Sequence, residues 1–158
     1  MSKIAVFPGS FDPITVGHLD IVKRALPLFD KIIIAIGVNT QKKYLYSLAT
    51  RLQWLKDVFG DDPKVEITSY EGLTINFCKE KKADYIVRGI RSSADFEYEK
   101  TIAHLNNAME ETLETILILS KPELSSISST IVREIIKGKG DVSKFVPACV
   151  QQSIQNSK

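Results

Sequence analysis

Ile4-Ala5-Val6-Phe7-Pro8-Gly9-Ser10-Phe11-Asp12-Pro13-Ile14-Thr15-Val16-Gly17-His18 reads as a strand, a tight polar loop and the start of a helix. The apolar run Ile4 to Phe7 has strand character, and Pro8, Gly9, Pro13 and Gly17 break it into a constrained turn. Thr15-Val16-Gly17-His18 then falls at the N-terminal end of an amphipathic segment, where free backbone N–H groups and the helix dipole favour an anion. Gly9 and Gly17 leave room for a ligand against the backbone, and His18 adds a hydrogen-bond donor at the mouth.

After this loop, Leu19, Val22, Leu26 and Phe29 recur at helical spacing, with Asp20, Lys23 and Arg24 on the solvated face. Lys31 to Val38 carries a continuous apolar run of the kind found in a parallel strand buried on both faces. Ser47 caps a second helix whose apolar positions are Leu48, Leu52, Leu55 and Phe59. Val65 to Tyr70 alternates as a strand near the sheet edge, and a short helix passes through Phe77 and Cys78 to Lys82. Asp84 to Arg88 is a fourth strand, and Gly89-Ile90-Arg91 turns out of it. Ser92 or Ser93 caps a helix whose apolar face runs through Phe96, Ile102, Leu105 and Met109, with Glu97, Glu99 and Lys100 on other faces. Thr115 to Leu119 is a fifth strand, Ser125 to Thr130 opens the helix Ile131 to Ile136, Gly138 ends it, and Pro147 suits the first turn of a last helix.

A strand followed by a helix, repeated along the chain, predicts an α/β fold. The expected form is a Rossmann-like, doubly wound, five-stranded parallel sheet with helices on both faces and right-handed crossovers. No fixed-period repeat or low-complexity linker divides the chain, so residues 1–158 are expected to form a single domain. At 158 residues and 44% hydrophobic content it is long enough to bury a sizeable core.

A net charge of +2 is too small an excess to point to nucleic acid, and the aromatics are scattered. The longest purely apolar run, Ile32 to Ile36, is far below the roughly 18 residues that span a bilayer, and the first residues lack a basic-then-apolar signal pattern. No membrane partner is expected, and the location is expected to be cytoplasmic. Cys78 and Cys149 stand alone, with no C-x-x-C and no partnered histidine spacing, so neither a disulfide framework nor a zinc site is expected. No Walker A pattern is present, so transfer from the ATP γ-position is not supported.

Groups with chemistry follow different strands: Ser10 and His18 the first, Lys42 the second, Arg88 and Arg91 the fourth, Ser128 to Thr130 the fifth. A parallel sheet gathers such loops along one edge. The serine-rich segment offers hydroxyls and N–H groups at a helix start, a second anion cradle facing the first.

Gly9-Ser10-Phe11-Asp12-Pro13 followed by Thr15-Val16-Gly17-His18 resembles the phosphate-binding signature of the nucleotidyltransferase superfamily. Taken with Lys42-Lys43, Arg88-Gly89-Ile90-Arg91, Asp95-Phe96-Glu97-Tyr98-Glu99 and Ile127-Ser128-Ser129-Thr130, the pattern resembles the bacterial phosphopantetheine adenylyltransferases in order and over nearly the whole chain. That resemblance implies an enzyme joining ATP and 4'-phosphopantetheine into dephospho-coenzyme A and pyrophosphate, with Mg2+, in a homohexamer. It implies ATP contacts at Ser10, Phe11, His18, Gly89, Ile90, Arg91 and Glu99, and through Leu124, Ser125, Ser126, Ile127, Ser128, Ser129 and Thr130. It implies acceptor contacts at Ser10, Lys42, Thr74 and Arg88, and catalytic roles for His18, Lys42, Arg91 and Ser129. Three positions depart from common members: Ser10 stands where threonine is frequent, Thr74 where a larger apolar residue is usual, and Leu124 where an aromatic is common.

Two alternatives share parts of this pattern. One is an adenylyl- or cytidylyltransferase with another phosphate acceptor, such as nicotinate mononucleotide or a phosphoalcohol; Arg88-Gly-Ile-Arg91 with Asp95-Phe-Glu-Tyr-Glu99 favours the pantetheine enzyme. The other is a nucleotide-binding module without chemistry, against which the intact His18, Lys42, Arg91 and Ser129 argue.

A phosphomonoester, with a second pKa of about 6, is already largely ionised at neutral pH, so its attack on the ATP α-phosphate needs no enzymic base. The expected chemistry is positioning and charge stabilisation. His18 and Arg91 would neutralise charge on the α-phosphate and leaving pyrophosphate, Lys42 and Arg88 would hold the attacking phosphate, and magnesium would bridge phosphate oxygens.

Overall fold

The apolar runs form five strands in the computed structural model, which describes residues 1–157: β1 (Ile4–Gly9), β2 (Lys31–Gly37), β3 (Val65–Tyr70), β4 (Tyr85–Ile90) and β5 (Glu114–Leu119). All pair in parallel, in the order β3-β2-β1-β4-β5. Six helices connect or follow them: α1 (Val16–Ala25), α2 (Leu48–Phe59), α3 (Thr74–Glu80), α4 (Ser93–Met109), α5 (Ser129–Lys137) and α6 (Ala148–Asn156).

Strand alternation splits the core into two layers. Ile32, Ile34 and Ile36 of β2 face one side, with Val22 of α1, Leu55 of α2, Val132 of α5 and Val150 of α6. Ile33 and Ala35 face the other, with Ile75, Phe77 and Cys78 of α3. Every residue from Ile32 to Ile36 is buried, each large one contributing about 1.5–3 kcal/mol of transfer free energy.

The strand order reverses between β1 and β4, the place where open α/β sheets leave a crevice. β1 pairs with β2 from Ile4↔Lys31 to Gly9↔Ile36, but with β4 only at Ala5↔Tyr85 and Val6↔Ile86. Beyond Val6 comes Pro8, which has no N–H to give a ladder. There the two strands part, and Arg88 Nη1 donates to the Pro8 carbonyl at 2.6 Å.

Ser47, Ser92 and Ser128 each cap a helix through the side-chain oxygen. β4 runs on to Ile90 where the sequence places a turn, because its ladder with β5 continues to Ile90↔Leu119. The helix that the serine-rich segment opens begins at Ser129, ahead of the expected Ile131, because Ser128 caps it, and Pro122–Leu124 forms a separate 3₁₀ turn. The face of α4 is the larger difference. Its expected apolar face is exposed, with Leu105 at 56% and Met109 at 53% accessibility, and the residue it buries is Glu99, at 8%. Glu99 is drawn inward by an ion pair with β4 that no helical periodicity reveals.

Candidate active site

Two adjoining cavities occupy the crevice at the carboxyl ends of the strands, and Pro8, Gly9, Ser10, Arg88 and Glu99 wall both of them. The first, about 320 Å³, is lined by Phe11, Gly17, His18, Gly89, Arg91 and the start of α5 from Ile127 to Thr130. The second, about 520 Å³, is lined by Asn39, Tyr70, Leu73, Thr74, Tyr98, Ile102, Asn106 and Met109. Both lie within the size range of small-molecule sites.

Helix capping fixes His18. The Thr15 hydroxyl accepts from the N–H groups of Gly17 and His18 at 3.2 and 3.4 Å, while His18 Nδ1 accepts from the Thr15 N–H at 3.0 Å. With Nδ1 an acceptor, the ring proton belongs on Nε2. Burial, reinforced by the positive charges of Arg88 and Arg91, lowers its pKa from 6.5 to about 4. His18 is therefore a neutral hydrogen-bond donor, whereas the sequence gives it a share in neutralising phosphate charge. Phe11, held at φ 49° in the left-handed region, places its buried ring edge-on to His18 at 5.0 Å. Gly89 permits the close approach of α1 to β4, since a Cβ there would meet Ile21 Cγ1 at 3.0 Å.

The cations are oriented by carboxylates. Glu99 accepts from Arg88 Nε and Nη2 at 2.9 Å each, a bidentate pair at the shared wall. Asp95 accepts from both the backbone N–H and Nε of Arg91, at 3.0 and 3.1 Å. Lys42 lies outside both linings, yet its Nζ reaches the Ser10 hydroxyl at 3.4 Å. Ser129 donates to the Pro13 carbonyl at 2.8 Å, tying the second cradle to the first loop. Ile90, Leu124, Ser125 and Ser126 do not line either cavity.

Four residues that the sequence reading did not single out as site groups hold this arrangement. Asp12, 2% exposed, accepts from the N–H groups of Leu45 and Tyr46 at 2.8 and 3.0 Å. Arg51, 4% exposed, donates to the carbonyls of Ser10 and Tyr46 at 2.9 and 3.0 Å. Arg133 lines the first cavity and donates to the Asp12 carbonyl at 2.9 Å. Thr15 is the cap already described. Thr15, one residue before a helix, and Asp12, inside the Gly9 to Pro13 motif, left local signals; Arg51 and Arg133 left none.

Residues 6–135 match the family described as Cytidylyltransferase-like. A phosphopantetheine adenylyltransferase of Flavobacterium psychrophilum is 55% identical over 147 residues, covering 93% of this chain and 97% of that one. The chain belongs to the phosphopantetheine adenylyltransferase family. A second phosphopantetheine adenylyltransferase, from Flavobacterium johnsoniae, is 51% identical over 147 residues, with 93% and 96% coverage. A solved structure from Vibrio parahaemolyticus, named as a nicotinate-nucleotide adenylyltransferase, superposes with a TM-score of 0.74 at 18% identity, covering 99% of this chain and 93% of that one. That likeness shows the fold alone. In this phosphopantetheine adenylyltransferase family member, the Thr74 hydroxyl is hydrogen-bonded to the Tyr70 hydroxyl at 2.8 Å in the wall of the second cavity.

Proposed function

We propose that this chain transfers the adenylyl group of ATP to 4'-phosphopantetheine, releasing pyrophosphate and forming dephospho-coenzyme A. The observation that carries this reading is the wall shared by the two cavities, where Ser10 and Arg88 face both. A nucleotide in the first cavity and an acceptor arm in the second bring their phosphates together there.

An acceptor phosphate oxygen attacks the α-phosphorus, a new P–O bond forms, and the bond to the β-phosphate bridging oxygen breaks. The electron pair leaves with pyrophosphate. Because the acceptor is already anionic, the site needs no general base. His18 Nε2–H donates to an α-phosphate oxygen as charge builds on it, its proton kept on Nε2 because Nδ1 accepts from the Thr15 N–H. Arg91 takes the negative charge of the triphosphate, and Ser129, at the start of α5, adds a helix N-terminus. Lys42 and Arg88 hold the attacking phosphate in line.

Among the described residues no group of three or more His, Cys, Asp or Glu could hold a metal ion, and in the crevice Glu99 and Asp95 are already engaged by arginines. In this reading Mg2+ arrives as the companion of the ATP phosphates, as part of the substrate.

Leu105 and Phe96 of α4, exposed on an apolar face, fit a chain that associates with copies of itself, as in the homohexamer reading. A cytoplasmic location follows from the supply of ATP. No helix among the described residues is long and apolar enough to cross a membrane.

Mass spectrometry of products from ATP or CTP with 4'-phosphopantetheine, nicotinate mononucleotide or a phosphoalcohol tests the substrate pair. Dephospho-coenzyme A formed from ATP, with the other acceptors unused, supports it. Turnover of another acceptor in preference overturns the acceptor assignment.

A further inference from the structure

Lys42 sits on an exposed segment after β2, and a long flexible ammonium there has many rotamers to lose before it can serve an incoming phosphate. What lies beneath it is unusually well fixed. The ring centroid of Tyr44 is 5.4 Å from Lys42 Nζ and 4.1 Å from Arg51 Cζ. Arg51 is itself buried and pinned by its donations to the carbonyls of Ser10 and Tyr46, one on the phosphate loop and one on the Lys42 segment. The Asp12 carboxylate holds the same segment through the N–H groups of Leu45 and Tyr46.

We infer that Tyr44, clamped by Arg51, is a positioning residue whose ring face holds the Lys42 ammonium beside Ser10, ready for the acceptor phosphate. The ring quadrupole attracts the cation without neutralising it, so the charge stays available to the ligand. A carboxylate in that place would compete with the phosphate; an aromatic face does not. This inference rests on the assignment of Lys42 to the acceptor under the proposed function.

The test is steady-state kinetics on the full chain with ATP and 4'-phosphopantetheine, for Tyr44→Leu, Tyr44→Gln, Tyr44→Phe, Lys42→Met and the Tyr44→Leu/Lys42→Met pair. The expected result is a KM for the acceptor raised about two- to fivefold in Tyr44→Leu and Tyr44→Gln, the scale of an exposed cation–π contact, with KM for ATP unchanged. Tyr44→Phe, which keeps the ring, should match wild type. On the Lys42→Met background Tyr44→Leu should add nothing, since a residue acting only through Lys42 has nothing left to position. An unchanged acceptor KM in Tyr44→Leu and Tyr44→Gln, or a full increment on the Lys42→Met background, overturns the positioning role while leaving Lys42 in place. An unchanged acceptor KM in Lys42→Met overturns the Lys42 assignment itself, and the positioning role with it.

Discussion

Glu99 accepts from Arg88 Nε and Nη2 at 2.9 Å each, while the third nitrogen of that guanidinium is held by the Pro8 carbonyl at 2.6 Å. A cation anchored on all three nitrogens presents the remaining face of its planar fork to the crevice in one orientation. Glu99→Gln keeps the shape and removes the charge. The expected outcome is a loss of about 1–3 kcal/mol in folding stability and a fall of about tenfold or more in kcat/KM for the acceptor, the scale of a hydrogen bond to a charged group. Denaturant unfolding and acceptor titrations check the two parts separately.

His18 makes folding pH-dependent. Its pKa is about 4 in the fold against 6.5 for an unperturbed histidine, so between these values the unfolded chain takes up a proton that the folded chain refuses. The contribution is fully present above about pH 6.5 and is lost as the pH falls toward 4, on the order of 3 kcal/mol at most. His18→Gln should flatten that slope in urea unfolding between pH 6.5 and 4.5. In the ligand-free protein, NMR titration of the imidazole should give a midpoint near the lowered value; an ordinary midpoint would contradict the capped, half-buried ring beside two arginines.

Asp12→Asn places an amide NH2 where a carboxylate oxygen accepts from a backbone N–H, so one of the bonds to Leu45 and Tyr46 is lost. Stability should fall by about 1–3 kcal/mol. Hydrogen exchange at the Leu45 and Tyr46 amides should speed up well before exchange in β2, which localises the effect to the Lys42 segment.

Leu105 and Met109 of α4 are more than half exposed, and Leu105→Arg adds no buried charge to a lone chain. If association covers this stripe, sedimentation should show wild type as an oligomer and Leu105→Arg as smaller species with unchanged secondary structure. Equal sedimentation of the two would remove α4 from the interface.

The parts of this molecule legible in its sequence were those encoded by neighbours. The Ile32 to Ile36 run declared a strand buried on both faces, Ser47 and Ser92 announced their helices, and the loop from Pro8 to His18 marked the crevice. Arg51 and Arg133 were not legible, because each reads locally as a charged helix residue. Their work is done on Ser10 and Asp12, at sequence separations of 41 and 121. Glu99 misled for a related reason. Amphipathic periodicity assigns the apolar side of a helix to its own core, but α4 buries a carboxylate at the site, while its apolar residues either line the open second cavity, as Ile102 and Met109 do, or stay exposed, as Leu105 does.

The most direct measurement is pyrophosphate release from ATP and magnesium, with and without 4'-phosphopantetheine, for wild type and His18→Ala side by side. Release should require the acceptor, with kcat lowered about 100-fold or more in the variant, the scale for removing one preorganised donor. Release independent of the acceptor, or a near-normal kcat in His18→Ala, would contradict the proposed mechanism.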